Sequence, residues 1–331
     1  MANKKYSFDT HPTVSNNTYA GELALPYLAP SVAANSIDNG YLTSLSGIRN
    51  KAVVSTLTSA NPIVASSCDV TQGDNLTLDE SVLTTTDVMV NESICRGTLY
   101  PTWVASQMNG NRNGEPVDFI DFAAATVSGK AAEQVESFIY DGSATLGTGL
   151  VNTDGTALTS AQVKAARILN GALTNWVRLN GGTAMSSSNV DTSFANVYAG
   201  AVSVCPQILA KDDVQFLVSP LTYGYYMQHL SSVLTGGGFE NRGTNQGYAQ
   251  LTYLGIPVNM AYGMPDAAIV LGRKSNMFVG TNLGTDATEV SIIPRYQYDG
   301  SDMIQMVMRF GIGVQVGINT EIILGTTINV T

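Results

Sequence analysis

SDMIQMVMRFGIGVQVG, residues 301–317, decides how this chain is read. Every second residue is apolar: Ile304, Met306, Met308, Phe310, Ile312, Val314 and Val316. The set between them is Gln305, Val307, Arg309, Gly311, Gly313, Gln315 and Gly317. A strict period of two marks a strand with unlike faces. This one outruns the usual strand of ~5–6 residues. One face needs an apolar cover, and the other is polar or carries no side chain.

Working outward, nearly everything from Leu251 onward reads as strand, and Val290-Ser291-Ile292 begins a second long one. The clearest helix lies at 116–140. Pro116 suits its first turn and Asp118 and Asp121 favour its positive end. Val117, Ile120, Ala124, Val127, Ala131, Val135 and Phe138 then step along one face. At 1.5 Å per residue such a helix spans roughly 35–40 Å. A glycine-rich loop follows, and a second helix is predicted over 160–179, with Thr159 and Gln162 as a capping box. A third covers 191–205 and stops at Pro206. DDVQFLVSP reads as a short buried strand, and LTYGYYMQHLSSV as a short helix entered through Ser219-Pro220.

Residues 51–100 are dense in Val, Thr, Ile and Leu and hold no lysine after Lys51. They read as a long two-stranded excursion turning near Gly73, with a strand at Asp87–Asn91. Its apolar content is thin for a domain, and a lone hairpin is marginal in water, so it must lie on something. Before it, residues 1–20 read as an extended arm, and a short helix at 32–37 ends at Gly40.

Composition limits the function. Charged residues make up only 13% of the 331, about half the usual share, while 44% are hydrophobic. The polar surface is therefore neutral, as in chains whose surface faces other subunits and as in secreted proteins. The net charge of −10 opposes phosphate, and no basic cluster exceeds Lys4-Lys5 or Arg273-Lys274. DNA reading through Lys and Arg is excluded, and contact with nucleic acid is that of a container wall. MANKKYSFDTHPTVS has no apolar core, so no signal peptide is expected, and no apolar run is long enough for a membrane helix. The three cysteines, Cys68, Cys95 and Cys205, form neither a disulfide framework nor a zinc spacing.

The residues capable of chemistry do not assemble into a catalytic set. The two histidines are His11, in the arm, and His229, on a short helix. Asp212-Asp213 and the pair Asp299 and Asp302 sit where turns are needed. LGTGL (146–150) and TGGGF (235–239) lack the Lys-Ser/Thr of a phosphate loop. Cys205 has no histidine near it in sequence. No catalytic, cofactor or metal residue is predicted, and no enzymatic activity.

The order of elements carries a resemblance: arm, lysine-poor β excursion, one long helix, glycine loop, more helices, then a β-rich final third. ILAKDDVQFLVSPLTYGYYMQHL and YLGIPVNMAYGMPDAAIVLGRKSNMFVGTNL add to it, the second through Gly255, Pro257, Val258, Met264, Pro265 and Gly272. This order resembles the major capsid proteins of tailed bacteriophages, the Hong Kong 97 fold. Cys68, Gly73, Thr77, Leu78, Glu80, Leu83, Val90, Asn91 and Cys95 are similar to a pattern in coat proteins of Bacteroidota phages, including the crAss-like group.

The resemblance implies an α+β fold in five parts. Residues 1–50 are the N-terminal arm and entry segment, and 51–100 the extended β loop. Residues 101–155 belong to the peripheral domain with its spine helix at 116–140, and 156–275 are mainly axial domain. Residues 276–331 supply peripheral-domain strands and the C-terminal segment. The long strand at 303–316 would pack under the spine helix. The implied function is self-assembly into pentamers and hexamers forming an icosahedral head around double-stranded DNA. Implied partners are further copies of the chain and portal, scaffold and cement proteins, with no membrane. The implied location is the virion, after synthesis in the host cytoplasm. Some members weld subunits through a lysine in the extended loop, but this chain has none between Lys51 and Lys130. An encapsulin-type nanocompartment shell would use the same fold around a cargo enzyme. A secreted β-rich hydrolase or adhesin would instead need a signal peptide and a triad or metal site.

Overall fold

The computed structural model describes residues 17–20, 35–58, 68, 77–95, 119–140, 168, 175–233, 251–266, 268–282, 289–301 and 303–327. The strands are β1 (Asn17–Ala20), β2 (Thr43–Leu45), β3 (Lys51–Thr58), β4 (Thr77–Thr84), β5 (Thr86–Cys95), β6 (Trp176–Arg178) and β7 (Val214–Val218). They continue with β8 (Thr252–Tyr253), β9 (Ile256–Met260), β10 (Ala268–Arg273), β11 (Met277–Thr281), β12 (Glu289–Pro294), β13 (Met303–Val316) and β14 (Ile322–Thr326). The α-helices are α1 (Asn35–Asp38), α2 (Phe119–Tyr140), α3 (Val190–Val204), α4 (Pro220–Val233) and α5 (Tyr296–Asp299). The chain forms two compact units, one of residues 1–33, 86–132 and 282–312, the other of 34–85, 133–281 and 313–331.

The first unit is built on β13. The predicted strand is there, 14 residues long, and its whole apolar set from Ile304 to Val316 is buried. β12 runs antiparallel along one side, with Met306 opposite Ile292, and β1 pairs β12 in turn. The turn from β12 to β13 is closed by the Arg295 N–H on Met303 O (2.9 Å), with Gly300 at φ 72°. Along the other side of β13 runs β5, with Val90 opposite Met308, Val88 opposite Phe310 and Ile94 opposite Ile304. The sequence reading grouped residues 86–95 with the excursion. The alternation of Val88, Val90 and Ile94 instead matches that of β13, and this longer pairing takes the strand. Glycine on the other face of β13 reflects close approach. A Cβ on Gly311 would stand 2.7 Å from the Asn282 amide nitrogen, whose Oδ1 accepts the Gly311 N–H at 2.5 Å.

In the second unit a six-stranded sheet runs in the order β6-β14-β10-β7-β9-β8. β7 and β14 are buried throughout, which fits their mainly apolar sequences, broken by Gln215 in β7 and Thr326 in β14. The main core lies where α3 covers this sheet. Phe194 meets Phe216 edge-on at 5.2 Å and stacks on Tyr253 at 5.3 Å, with Val197, Leu271 and Ile323 in the same cluster. Gly325 lets the helix come down, since a Cβ there would fall 2.3 Å from a Val197 methyl. α4 starts where Ser219-Pro220 predicts, the Ser219 hydroxyl accepting the Thr222 N–H at 3.1 Å.

One predicted helix is corrected. Residues 176–178, expected as the end of a helix over 160–179, form β6, parallel to β14 with Trp176 opposite Leu324. Leu179 N–H donates to Thr326 O at 2.8 Å, and this sheet-edge pairing outweighs the helical spacing. Apart from Ile168, the earlier part of that segment, Thr159 and Gln162 included, lies outside the described residues. So do the arm before Asn17, the turn near Gly73 and the start of the long helix at Pro116 and Asp118. From Phe119 that helix follows the prediction. Ala124, Val127, Ala131 and Val135 are buried, and Ala123 and Ile139 join them. α1 ends, as read, at Gly40, with φ 65° and its N–H on Ile37 O.

Candidate assembly surface

β3 and β4 pair antiparallel from Lys51 opposite Thr84 to Thr58 opposite Thr77, forming a two-stranded ribbon among the described residues. The ribbon is rooted at one end. Leu83 is fully buried, and a Cβ on Gly280 would sit 2.5 Å from its methyl. Ser81 Oγ donates to Val316 O at 3.0 Å and accepts from Gln315 Nε2 at 2.8 Å. Gly313 lies against the Thr84 carbonyl, where a Cβ would come within 2.3 Å. These contacts fix Ser81–Thr84 and leave Thr77 to Glu80 exposed.

One face of the ribbon carries exposed apolar side chains, interrupted by the Ser55–Glu80 pair. Val53 and Val82 are register partners, and Leu78 lies on the same side by even spacing. They are 56%, 44% and 57% exposed, although a solvent-facing ribbon would be expected to carry polar groups there. Covering them would contribute roughly 1 kcal/mol or more each. Further exposed apolar side chains in the second unit are Val202, Val204, Leu221 and Leu254.

The residues weighed for chemistry lie as follows where they are described. His229 Nδ1 lies 3.1 Å from Ser187 O. Asp213 binds the Arg273 guanidinium at 2.9 Å and the Ser275 hydroxyl, while Arg273 also reaches Glu321 at 3.0 Å. Burial pushes the Asp213 carboxyl up, but Arg273 and Ser275 together bring it down to about 2. Asp299 accepts the Ser301 N–H at 2.9 Å in a turn and pairs with Arg295 at 2.9 Å. Asp212 is exposed, and Cys205 is a half-buried free thiol at the end of α3. Of the other two cysteines, Cys68 is exposed and Cys95 half-buried. His11, Asp302 and the two glycine loops lie outside the described residues. Among the described residues no group of His, Cys, Asp and Glu could hold a metal ion, and no helix is long and apolar enough to cross a membrane.

The sequence reading missed a buried carboxyl. Glu136, 2% exposed on α2, accepts the N–H of Ser36 at 3.1 Å, the Ser36 hydroxyl and the N–H of Gly263. Its signal was a glutamate one residue past Val135, beside the buried stripe of that helix. Nearby, Asn259 donates to Gln215 at 2.7 Å and Gln215 to Tyr41 O at 2.5 Å, a second polar anchor for the chain after α1.

No family model matches this sequence, and no curated protein matches it. Solved structures do match. The fold is similar to that of a chain in the satellite phage P4 procapsid including size determination (Sid) protein, at a TM-score of 0.55 and 11% identity over 98% of this chain and 94% of that one. It is also similar to a chain of Gordonia phage Cozz, at a TM-score of 0.50 and 16% identity over 88% of this chain and 86% of that one. At these identities the likeness is one of fold: the chain is a mixed α and β protein built like a phage procapsid chain.

Proposed function

We propose that this chain is the major capsid protein of a tailed bacteriophage, with the Hong Kong 97 arrangement, closing into pentamers and hexamers that tile an icosahedral head around packaged double-stranded DNA. The observation that carries the reading is the fold likeness to the P4 procapsid chain, which runs over 98% of this chain and 94% of that one. The rooted ribbon with its exposed apolar side chains supports the same reading.

On this reading the parts are those of a tile. α2 is the spine, lying over β13. The β3–β4 ribbon is the extended loop, reaching over a neighbouring copy, and the sheet from β6 to β8 with α3 and α4 is the axial domain. The arm ties subunits together, and portal, scaffold and cement proteins complete the head in the virion, after synthesis in the host cytoplasm. The pattern running from Cys68 to Cys95, similar to one in coat proteins of Bacteroidota phages, supports a place near that group. With no lysine between Lys51 and Lys130, cohesion comes from noncovalent burial repeated by symmetry. A net charge of −10 per copy makes assembly faster as salt screens the copies from one another. Negative-stain microscopy with sedimentation of the expressed chain tests the proposal. Closed particles tens of nanometres wide support it, and a stable 34.9 kDa monomer under all salt conditions contradicts it.

A further inference from the structure

Glu136 joins three stretches of the second unit. Its carboxyl on α2 receives two hydrogen bonds from Ser36 on α1 and one from Gly263 in the loop after β9. Tyr140, one turn further along α2 and fully buried, places its hydroxyl 2.6 Å from the same Ser36 oxygen. The loop is seated tightly, for a Cβ on Gly263 would fall 2.2 Å from Glu136 O. Residues 34 and 133 are where two passages of the chain enter the second unit. Ser36 and Glu136 therefore fasten those two passages together just inside it.

The chemistry of the site is one-sided. Among the described residues no ion pair offsets Glu136. The titratable groups acting on it or on its neighbours are acids: Asp38 on α1, Tyr41 beyond α1, Tyr140 on α2, and Tyr223 and Tyr262 around Tyr41. The nearby cation, Lys274, sits by Gly40 and is not among the groups that act on Glu136. Burial raises the Glu136 carboxyl above the ordinary glutamate range, against the bonds from Ser36 and Gly263, and Asp38 raises it further.

We propose that Glu136 is a proton-operated clamp on the segment carrying α1, closed most firmly when its carboxyl is protonated and loosened when it is ionised. When ionised, the carboxylate accepts from Ser36, and Ser36 from Tyr140. When protonated, it donates to Ser36, whose own proton turns to the Tyr140 oxygen while the Tyr140 proton turns off Ser36. Only hydrogens move in this change. Opening admits water to the carboxylate and so relieves only the ionised form. By linkage, a carboxyl raised in the closed form adds firmness below the ordinary glutamate range, and this is lost as pH rises through its raised value. The proposal does not depend on the chain building a shell.

Hydrogen exchange on the full chain between pH 4 and 8, corrected for intrinsic rates, tests it. Protection of residues 35–42 should fall severalfold as pH rises through the titration of the raised carboxyl. Peptides from β10 and β14 should not change. In Glu136→Gln, which cannot ionise, protection should stay high throughout. Flat protection in the wild type, or the same fall in Glu136→Gln, overturns the proposal. If the variant does not fold, carboxyl 13C titration of the wild-type chain decides. A glutamate midpoint above the ordinary range supports the clamp, and glutamates all within it overturn it.

Discussion

The ribbon of β3 and β4 and the sheet under α3 belong to the same unit and use the same residue types to opposite ends. Around Phe194 the apolar side chains meet one another and are mostly buried. Along the ribbon Val53 stands opposite Val82 and Leu78 opposite Leu57, with the Ser55–Glu80 pair between them, and about half of Val53, Val82 and Leu78 faces solvent. A two-stranded sheet has no core of its own. The difference separates residues that make the fold from residues that await a partner. In the ribbon the line falls near Ser81, where the anchoring bonds to Val316 and Gln315 stop.

That contrast can be broken by mutation. The largest expected effect comes from replacing residues 55–80, beyond the anchored Ser81–Thr84, with a short turn. Subunits should stay soluble and folded by circular dichroism, yet form no closed particles by microscopy. Intact particles would show that the ribbon is dispensable. On the fold side, Phe194→Ala should cost about 3–5 kcal/mol in denaturant titration, because it removes the ring that Phe216, Tyr226 and Tyr253 pack against. Gly263→Ala should cost about 3 kcal/mol, since backbone and not a pliable side chain stands in the way of its methyl.

A smaller effect belongs to Asp213. Its folded pKa of about 2 lies below the unfolded value, so its stabilisation is present above about pH 4 and lost as pH falls through 2. Discounted for solvent at a half-exposed site, this is about 1 kcal/mol. Asp213→Asn should flatten the acid limb of stability against pH between 4 and 2. The smallest effect sharpens the contrast most. Val53→Ser with Val82→Ser should change subunit stability by less than about 0.5 kcal/mol. The same pair should raise the concentration needed for assembly.

The elements governed by one local rule were legible in the sequence. The alternation at 303–316, the stripe of Ala124, Val127, Ala131 and Val135, the buried run VQFLV and the Ser219-Pro220 helix start all appear as read. What failed was partner choice. Nothing near β5 in sequence says that Val88 and Val90 face β13, some 220 residues away, and not the other ribbon strand. Nothing near Trp176 says that β14 takes it from a helix. The candidate surface was half legible: the excursion could be seen, but which of its faces stays uncovered depends on how its root is seated. Glu136 was invisible because a single glutamate on a helix is ordinary until Ser36 and Gly263 close over it.

The central claim is that another copy of the chain covers the ribbon. Cysteine substituted at Val82 in a mixture of 14N- and 15N-labelled chains, cross-linked under assembly conditions and read by mass spectrometry, tests it most directly. The account predicts links at that position that join light to heavy peptides, and their loss when assembly is blocked. Links confined to a single chain, at full yield in the monomer, would contradict it.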